Sequence, residues 1–311
     1  MKVTIVGAGN VGATLAFDIA NKGIADKICL VDIKYGLSEG KALDISQTAP
    51  INYFDSRIIG CTDCYDQTAD SDVVVITSGV PRKPGMSRDD LIHTNAIIVK
   101  NVTENIIKYS PNAIIIIVAN PLDVMTYVAN KVTKINRNKV IGMAGILDTA
   151  RFRTFIAEEL NCSPKDVQAL LLGGHGDTMV PLPRYTNVGG IPITQLISKE
   201  RLDEIIKRTQ NGGGEIVNLL HTSAYYAPAA ATAQMVEAII CNQRRLVPCC
   251  TLLNGEYGLD DICVGVPVIL GKNGVEQIIE IELNKEERQL FDVSANAVRS
   301  MIQVLKNFNI I

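Results

Sequence analysis

Short apolar runs alternate with amphipathic stretches along the first half of the chain. The runs are rich in β-branched residues and lack polar alternation, which is typical of parallel strands buried on both faces. Stretches with helical periodicity separate them, and this alternation predicts an α/β fold with a doubly wound parallel sheet. The predicted strands cover residues 2–6, 27–32, 57–61, 72–77 and 113–118, and the clearest helices cover residues 11–21 and 89–109.

The pattern changes after about residue 145, where we predict a second domain of α+β type. Hairpin signals at Asn254-Gly255, Gly258 and Asn273-Gly274 divide the region from 244 to 283 into short β-like pieces. We therefore expect domains at residues 1–144 and 145–311, with a ligand site in the cleft between them. The other predicted elements are helices at 148–160, 199–220 and 224–241, a short strand at 167–172, and a final helix with Leu290, Val298, Met301, Ile302 and Leu305 on its apolar stripe.

The composition of the chain excludes several classes of protein. The 311 residues are 47% hydrophobic, with 30 basic and 33 acidic side chains, and this balance excludes a disordered chain. The basic residues form no cluster of the kind that predicts nucleic-acid binding. The longest apolar run, residues 113–119, is too short to cross a membrane, and glycines interrupt the apolar start of the chain at once. We expect a cytoplasmic protein with neither membrane nor nucleic acid as a partner.

Eight cysteines are dispersed through the chain, a distribution that favours reduced thiols over a disulfide scaffold. Cys61 and Cys64 form a CxxC pattern, which fits a redox pair, half of a zinc site, or a coincidence at a strand end. No second CxxC or CxxH follows to complete four ligands, and no helix start follows to activate a thiolate. Coincidence is the favoured interpretation, and we expect no metal.

A GxGxxG pattern follows the first strand and opens the first helix. Alone it also fits a structural turn, but here Asp32 ends the second strand twenty residues after the last glycine. The first glycine permits the tight turn, the second admits a pyrophosphate, and the third lets helix and strand pack closely. Asp32 would accept hydrogen bonds from the ribose hydroxyls and repel a 2′-phosphate. The sequence therefore predicts an NAD site formed by Gly7, Ala8, Gly9, Asn10, Val11, Gly12 and Asp32.

His175 lies in a glycine-rich turn at residues 172–178. The chain has three histidines, and His93 and His221 lie in helical stretches where they look solvated or helix-terminal. A surface histidine without a role also fits such a turn. Hydride addition to a carbonyl, however, needs a proton donor whose pKa is near the working pH, and histidine is the usual one. We predict His175 as the catalytic acid and base.

Arginines indicate an anionic substrate. Arg82 and Arg88 lie six residues apart in a loop that leads into a helix, and Asp148 and Arg151 are spaced i, i+3 on another helix. Any one of them alone is better explained as a solvated charge. Together they fit a mechanism in which arginine forks bind carboxylates while a loop closes over the site.

With these residues in place, the chain resembles the NAD-dependent malate dehydrogenases of the lactate-dehydrogenase-like branch, from the first strand to the last helix. The resemblance rests on residues 7–12 with Asp32, the loop at 81–91, and residues 118–123, 147–152 and 174–177. It implies a Rossmann-type first domain, a catalytic α+β second domain, and reversible NAD-dependent oxidation of (S)-malate to oxaloacetate. It also implies a homo-oligomer, either a homotetramer or a dimer.

The resemblance gives each candidate residue a role. His175 would exchange the proton, oriented by Asp148, while Arg88 would polarise the reacting carbonyl. Arg151 would bind the C1 carboxylate and Arg82 the distal one. Further cofactor contacts would come from Asn95, Val118, Ala119 and Asn120, of which Asn120 would also contact the substrate.

One segment departs from the family pattern. Related enzymes usually carry a glycine where this chain has Thr222, which follows His221, whereas residues 223–228 agree with the pattern. We expect this departure to affect fine substrate contacts and loop closure, not the reaction.

Three alternative functions stay open. An L-lactate dehydrogenase shares the fold and the chemistry but would carry a neutral Gln at the position of Arg82. An NAD-dependent glycosidase would be longer and would hold a metal with Cys and His. A non-catalytic NAD-binding protein would not need His175, Asp148 and three arginines in register.

Overall fold

The computed structural model describes residues 1–81, 87–308 and 310, and within them the chain forms fourteen strands and nine α-helices. None of these helices is long and apolar enough to cross a membrane. The strands are β1 (Lys2–Val6), β2 (Lys27–Asp32), β3 (Arg57–Thr62), β4 (Val73–Ile76), β5 (Ile114–Ile117), β6 (Val140–Gly142), β7 (Val167–Gln168), β8 (Leu171–Leu172), β9 (Val180–Pro181), β10 (Asn187–Val188), β11 (Ile191–Pro192), β12 (Arg245–Asn254), β13 (Asp260–Gly271) and β14 (Gly274–Ile278). The helices are α1 (Asn10–Lys22), α2 (Leu37–Gln47), α3 (Ala49–Asn52), α4 (Arg88–Tyr109), α5 (Leu122–Thr133), α6 (Gly145–Leu160), α7 (Lys199–Leu220), α8 (Tyr226–Ile240) and α9 (Lys285–Asn307).

The main sheet has nine strands in the order β14-β13-β12-β6-β5-β4-β1-β2-β3. The six strands from β6 to β3 run parallel and follow the doubly wound order 3-2-1-4-5-6. Every residue of β4 and β5 is buried, because helices cover both faces of such a sheet. The predicted α/β class is confirmed.

An antiparallel ribbon of β12, β13 and β14 continues the same sheet beyond β6, where Cys250 pairs with Gly142. Its turns fall at the predicted hairpin signals. The expectation of short pieces is wrong, however, since β12 has ten residues and β13 has twelve. Pro and Gly often weaken strands, yet Pro248 and Gly265 both lie within the paired ladder, where burial of the flanking apolar residues keeps the strands together.

The second half adds a three-stranded sheet, β11-β10-β7, and a two-stranded sheet, β8-β9. The single strand predicted at 167–172 is therefore wrong, because β7 pairs with β10 whereas β8 pairs with β9. The chain changes partner between them, which local periodicity does not reveal. A small separate core, which includes Phe152, Ile156, Val167 and Leu202, lies in this region.

The apolar face predicted for the final helix, α9, is wrong at one position. Val298, Met301, Ile302 and Leu305 are buried as expected, but Leu290 is 51% exposed and the adjacent Phe291 is fully buried. Positions 291, 298, 302 and 305 share one face of a helix, whereas position 290 is rotated from that face by about 100°.

The larger apolar core contains residues from both halves of the chain. At one end of it α1 packs against α8, and Lys22 of α1 forms an ion pair of 2.7 Å with Glu237 of α8. The two halves therefore share a core as well as a sheet.

Candidate active site

The glycine turn after β1 has room for a ligand at one position and none at the other two. Gly7 has a φ of +105°, and a Cβ there would lie 2.5 Å from Thr77 Oγ1. A Cβ on Gly12 would lie 1.9 Å from the carbonyl oxygen of Gly7. A Cβ on Gly9, in contrast, would meet nothing within 4 Å. The first and third glycines are needed for packing, and the second faces open space.

Open space at Gly9 lies at the N-terminus of α1, which has Gly9 as its N-cap and no side-chain capping hydrogen bond. The first N–H groups of a helix lack intrahelical partners and attract anions. Asp32 stands beside this turn at the end of β2, where its carboxylate accepts hydrogen bonds from the backbone N–H groups of Ala8 (2.7 Å) and Lys34 (2.9 Å). This arrangement fits a dinucleotide pyrophosphate and its ribose.

Asn95 connects two loops at the carboxyl edge of the sheet. Its Oδ1 accepts a hydrogen bond from the N–H of Val80 (2.8 Å), and its Nδ2 donates to the carbonyl oxygens of Val80 (3.1 Å) and Asn120 (2.7 Å). Val118 and Ala119 are buried, whereas Asn120 is exposed. The buried Asn95 thus holds the segments after β4 and β5 together through their backbones.

His175, Asp148 and Arg151 meet as the sequence predicts. Asp148 Oδ2 lies 2.8 Å from His175 Nδ1, and Asp148 Oδ1 accepts a hydrogen bond from Arg151 Nη1 at 3.1 Å. The side chains of Asp148, Arg151 and His175 are 3%, 12% and 19% exposed. Because Asp148 occupies Nδ1, Nε2 is the ring nitrogen of His175 that can reach a substrate.

Arg151 is also held from the opposite side by α7. A Cβ on Gly212 would lie 3.1 Å from Arg151 Cδ, and one on Gly213 would lie 3.8 Å from Arg151 Nη2. Gly212 and Gly213 therefore give the Arg151 side chain room beside the helix. The sequence analysis missed them, although three consecutive glycines inside a helical stretch are a signal for close approach.

The turn that carries His175 is tied to distant elements. Gly173 forms a backbone bridge with Gly265 of β13, and the N–H of Gly174 donates to Ser294 Oγ of α9 at 2.8 Å. A Cβ on Gly173 would lie 2.6 Å from the same Oγ. The glycines before His175 therefore let the turn lie directly against α9.

Asp123 is a residue of this site that the sequence analysis left without a role. It lies in the first turn of α5, it is buried, and its Oδ2 accepts a hydrogen bond of 2.8 Å from the backbone N–H of His175. A carboxylate among the buried residues of an apolar helix is the signal that could have drawn attention to it.

The electrostatics favour a charged His175. Burial opposes protonation, but the charge and the hydrogen bond of Asp148, together with the charge of Asp123, raise the pKa of His175 above its ordinary value despite the nearby Arg151. Such an imidazole can hold a proton near neutral pH and release it to a partner, as acid–base catalysis requires.

Arg88 does not join this cluster. It is the first residue of α4, its side chain is exposed, and its Nη2 lies 2.9 Å from Met301 Sδ of α9. A contact between Arg88 and a carbonyl bound at His175 would require the guanidinium to leave Met301. Arg82 lies outside the described residues.

Other residues that the sequence analysis discussed lie elsewhere. Cys61 Sγ lies 3.1 Å from the carbonyl oxygen of Cys64, and both thiols are free. His93 contacts Phe308, with ring centroids 4.5 Å apart and the ring planes tilted by 54°. His221 ends α7 with a φ of +57° and is exposed, so the departure at Thr222 falls where the chain leaves that helix.

The chain matches two protein-family models end to end. The model described as the lactate/malate dehydrogenase NAD binding domain matches residues 1–142, and the lactate/malate dehydrogenase alpha/beta C-terminal domain matches residues 146–309. The chain belongs to the lactate/malate dehydrogenase family. The resemblance stated from the motifs is confirmed.

Individual members of the family are similar to the chain over almost its whole length. The malate dehydrogenase of Cytophaga hutchinsonii is 62% identical over 305 residues, which cover 98% of each chain. A structure of malate dehydrogenase from Salinibacter ruber has a TM-score of 0.96 at 54% identity, covering 99% of both chains. Lactate dehydrogenase from Cryptosporidium parvum, solved with lactic acid and nicotinamide adenine dinucleotide, has a TM-score of 0.94 at 41% identity and covers 98% of both. The fold alone therefore does not separate the two activities of the family.

Proposed function

We propose that this protein is an NAD-dependent malate dehydrogenase, which interconverts (S)-malate and oxaloacetate. The observation that carries the proposal is the hydrogen-bonded pair of His175 and Asp148 with Arg151 beside it. Relatives that are 54% to 62% identical over 98% of the chain are malate dehydrogenases, which supports malate as the substrate.

Three residues perform the proton transfer and hold the substrate. His175 takes the hydroxyl proton of malate at Nε2 and returns it to oxaloacetate in reverse. Asp148 holds the ring through Nδ1 and stabilises the imidazolium. Arg151 binds the C1 carboxylate with its guanidinium and so fixes the reacting carbon near His175. Bound NAD supplies the hydride acceptor, and reduced NAD the hydride donor.

The cofactor would lie along the carboxyl edge of the sheet at the neighbouring strands β1 and β4, where the strand order reverses. The N-terminus of α1 and the open space at Gly9 support a pyrophosphate there, and the position of Asp32 supports a ribose without a 2′-phosphate. We assign Asn95 an indirect part, because its polar atoms bind backbone. The proposed cofactor contacts are Gly7, Ala8, Gly9, Asn10, Val11, Gly12, Asp32, Val118, Ala119 and Asn120, and Asn95 supports them through the backbones of Val80 and Asn120.

Two arginines complete the proposal. Arg88 stabilises the charge on the carbonyl oxygen after its side chain leaves Met301, and Arg82 meets the distal carboxylate of oxaloacetate. Arg88 is exposed and its partner Met301 is neutral, which supports such a movement, since no ion pair with another described residue has to break.

We also propose a domain boundary at 144/145, a cytoplasmic location and a homotetramer, with a dimer as the alternative. The gap between the two family models at 143–145 supports the boundary. Eight free cysteines support a reducing compartment.

Oxidation of NADH, followed by its absorbance, tests the activity. We expect rapid oxidation with oxaloacetate and little with pyruvate. Faster oxidation with pyruvate would assign the chain to the lactate dehydrogenase branch, and no oxidation with either substrate would contradict a dehydrogenase of this family.

A further inference from the structure

Asp123 connects the first half of the chain to the turn that carries His175. It lies in the first turn of α5 and is 2% exposed, and its Oδ2 accepts the backbone N–H of His175 at 2.8 Å. A Cβ on Gly174 would lie 3.3 Å from the same oxygen. The carboxylate of Asp123 is therefore pressed against the backbone of the turn.

The second oxygen of Asp123, Oδ1, shows that a negative charge on this carboxylate would be costly. Oδ1 is buried and has no hydrogen-bond partner among the described residues. An anion buried in this way is costly unless a nearby cation balances it. The titratable groups that act on Asp123 are His175, Asp148 and the Cys250 thiol of β12, which lowers the pKa of the carboxyl. Arg151 joins the cluster through its effect on His175.

The charges of this group balance in only one protonation state of His175. When both carboxylates are ionised, Asp123 and Asp148 carry two negative charges, and Arg151 carries one positive charge. One negative charge is left over, and a protonated imidazole neutralises it. Without Asp123 the group would be neutral with a neutral imidazole instead.

We propose that Asp123 is a positioning residue for His175: it anchors the backbone of the turn to α5, and its negative charge favours the protonated imidazole. Burial raises the pKa of Asp123, against the lowering effects of the His175 amide and the His175 charge. The two groups therefore titrate as a linked pair. The part that Asp123 plays in turnover rests on the proposed function, whereas its effect on His175 does not.

Asp123→Asn separates the charge from the anchor, because the amide oxygen of Asn can still accept the His175 N–H. The measurement is an NMR titration of the chain without cofactor, with ¹³C-labelled histidine rings. With only three histidines in the chain, His93 and His221 serve as internal references. We expect the midpoint of His175 to fall by about one pH unit, a tenfold loss of proton affinity, while the references stay in place. An unmoved His175 midpoint would overturn the proposal, because it would mean that Asp123 is uncharged.

Ser294→Ala is the matched control, since Ser294 anchors the same turn through Gly174 without a charge. We expect this variant to leave the His175 midpoint in place. A fall equal to that of D123N would show that loosening of the turn, not charge, moves the midpoint, and would overturn the electrostatic part. If D123N does not fold, Asp123→Ser removes the charge and the anchor together; a fall of the His175 midpoint beyond that of S294A would then support the charge effect, and an equal fall would overturn it.

The pH dependence of kcat/KM in the cofactor-bound enzyme is an independent test. For D123N, we expect the decline of kcat/KM for oxaloacetate to begin about one pH unit lower than in the unmodified enzyme. A wild-type protein inactive on oxaloacetate would contradict the proposed function and leave the titration to decide this inference. An active enzyme whose pH profile is identical in D123N would contradict only the inference about Asp123.

Discussion

Among single residues, His175 has the environment with the most direct chemical consequences. Its pKa is raised because Asp148 and Asp123 outweigh the burial that opposes its charge. The protonated form therefore persists to higher pH than in a free histidine and is lost as the pH rises through the raised pKa. Reduction of oxaloacetate needs this form, whereas oxidation of malate needs the neutral one.

We expect the pH profiles of the two directions to cross. The kcat/KM for oxaloacetate should fall, and that for malate rise, around a shared apparent pKa. Asp148→Asn should shift both pH profiles to lower pH, because the imidazolium of His175 loses the carboxylate that stabilises it at Nδ1. His175→Asn should lower kcat/KM at least about a hundredfold in both directions and should abolish this pH dependence. Near-normal turnover of this last variant would exclude His175 from the mechanism.

Asp32 should set the preference between cofactors. Replacing Asp32 with Ser and adding an arginine at Lys34, whose N–H also binds the carboxylate, should shift the kcat/KM ratio of NADPH to NADH upward, because the repulsion of a 2′-phosphate is removed. Lys34→Arg alone is the control and should change the ratio little. Equal use of the two cofactors by the unmodified enzyme would show that Asp32 does not select between them.

Arg82 should set the preference between substrates. A second carboxylate taken out of water needs a cation, and Lys83 lacks the two-pronged geometry of a guanidinium. Arg82→Gln should reduce kcat/KM for oxaloacetate by about thirty- to several-thousandfold, the effect of removing about 2–5 kcal/mol, and should raise activity on pyruvate. Lys83→Gln is the control. An unchanged oxaloacetate-to-pyruvate ratio would assign the second carboxylate to another residue.

Among the elements, the β1–α1 unit separates the structural glycines from the one that leaves room for a ligand. Gly7 and Gly12 are close-packed, and their packing fixes the direction of α1 relative to β1. Gly9 is unconstrained by contacts, so its lack of a side chain has a functional explanation. A methyl group added at the close-packed positions should affect stability, whereas one added at Gly9 should affect ligand binding.

A pair of alanine substitutions tests this difference. Gly12→Ala should lower the free energy of unfolding by about 1–3 kcal/mol or more, since its Cβ would meet the Gly7 carbonyl oxygen at 1.9 Å. Gly9→Ala should change stability by at most about 1 kcal/mol but weaken NADH binding. Urea unfolding and NADH fluorescence titration measure the two effects. Tight NADH binding by G9A would contradict the assignment of the pyrophosphate to this turn.

At the scale of the whole molecule, the two halves depend on each other for burial. β6 pairs with β12 across the halves, α1 packs against α8, and one apolar core includes residues from both. The site also depends on both halves of the chain, because Asp123 from the first half binds the backbone of His175 in the second.

A fragment of residues 1–144 should therefore fail to fold as the full chain does. It would expose the edge of β6 and the face of α1 that α8 covers. We expect aggregation, or a urea transition with a lower midpoint and a smaller m-value per residue than in the full chain. Cooperative unfolding with the stability of the full chain would show that the first half is self-sufficient.

Features that depend on local order could be predicted from the chain alone: five of the six parallel strands, the glycine turn with Asp32, and the i, i+3 pair of Asp148 and Arg151. Local spacing sufficed because each signal lies within one element or one strand–helix unit. Packing between elements was needed to show which strands β7 and β8 join, that α9 buries Phe291 and not Leu290, and that the Arg88 side chain contacts Met301. It also brought Asp123 and Gly212 to the site from helices far apart in the chain. The contacts of Arg88, Asp123 and Gly212 join residues about 50 to 210 positions apart, and a pattern that repeats every two or 3.6 residues carries no information about such partners.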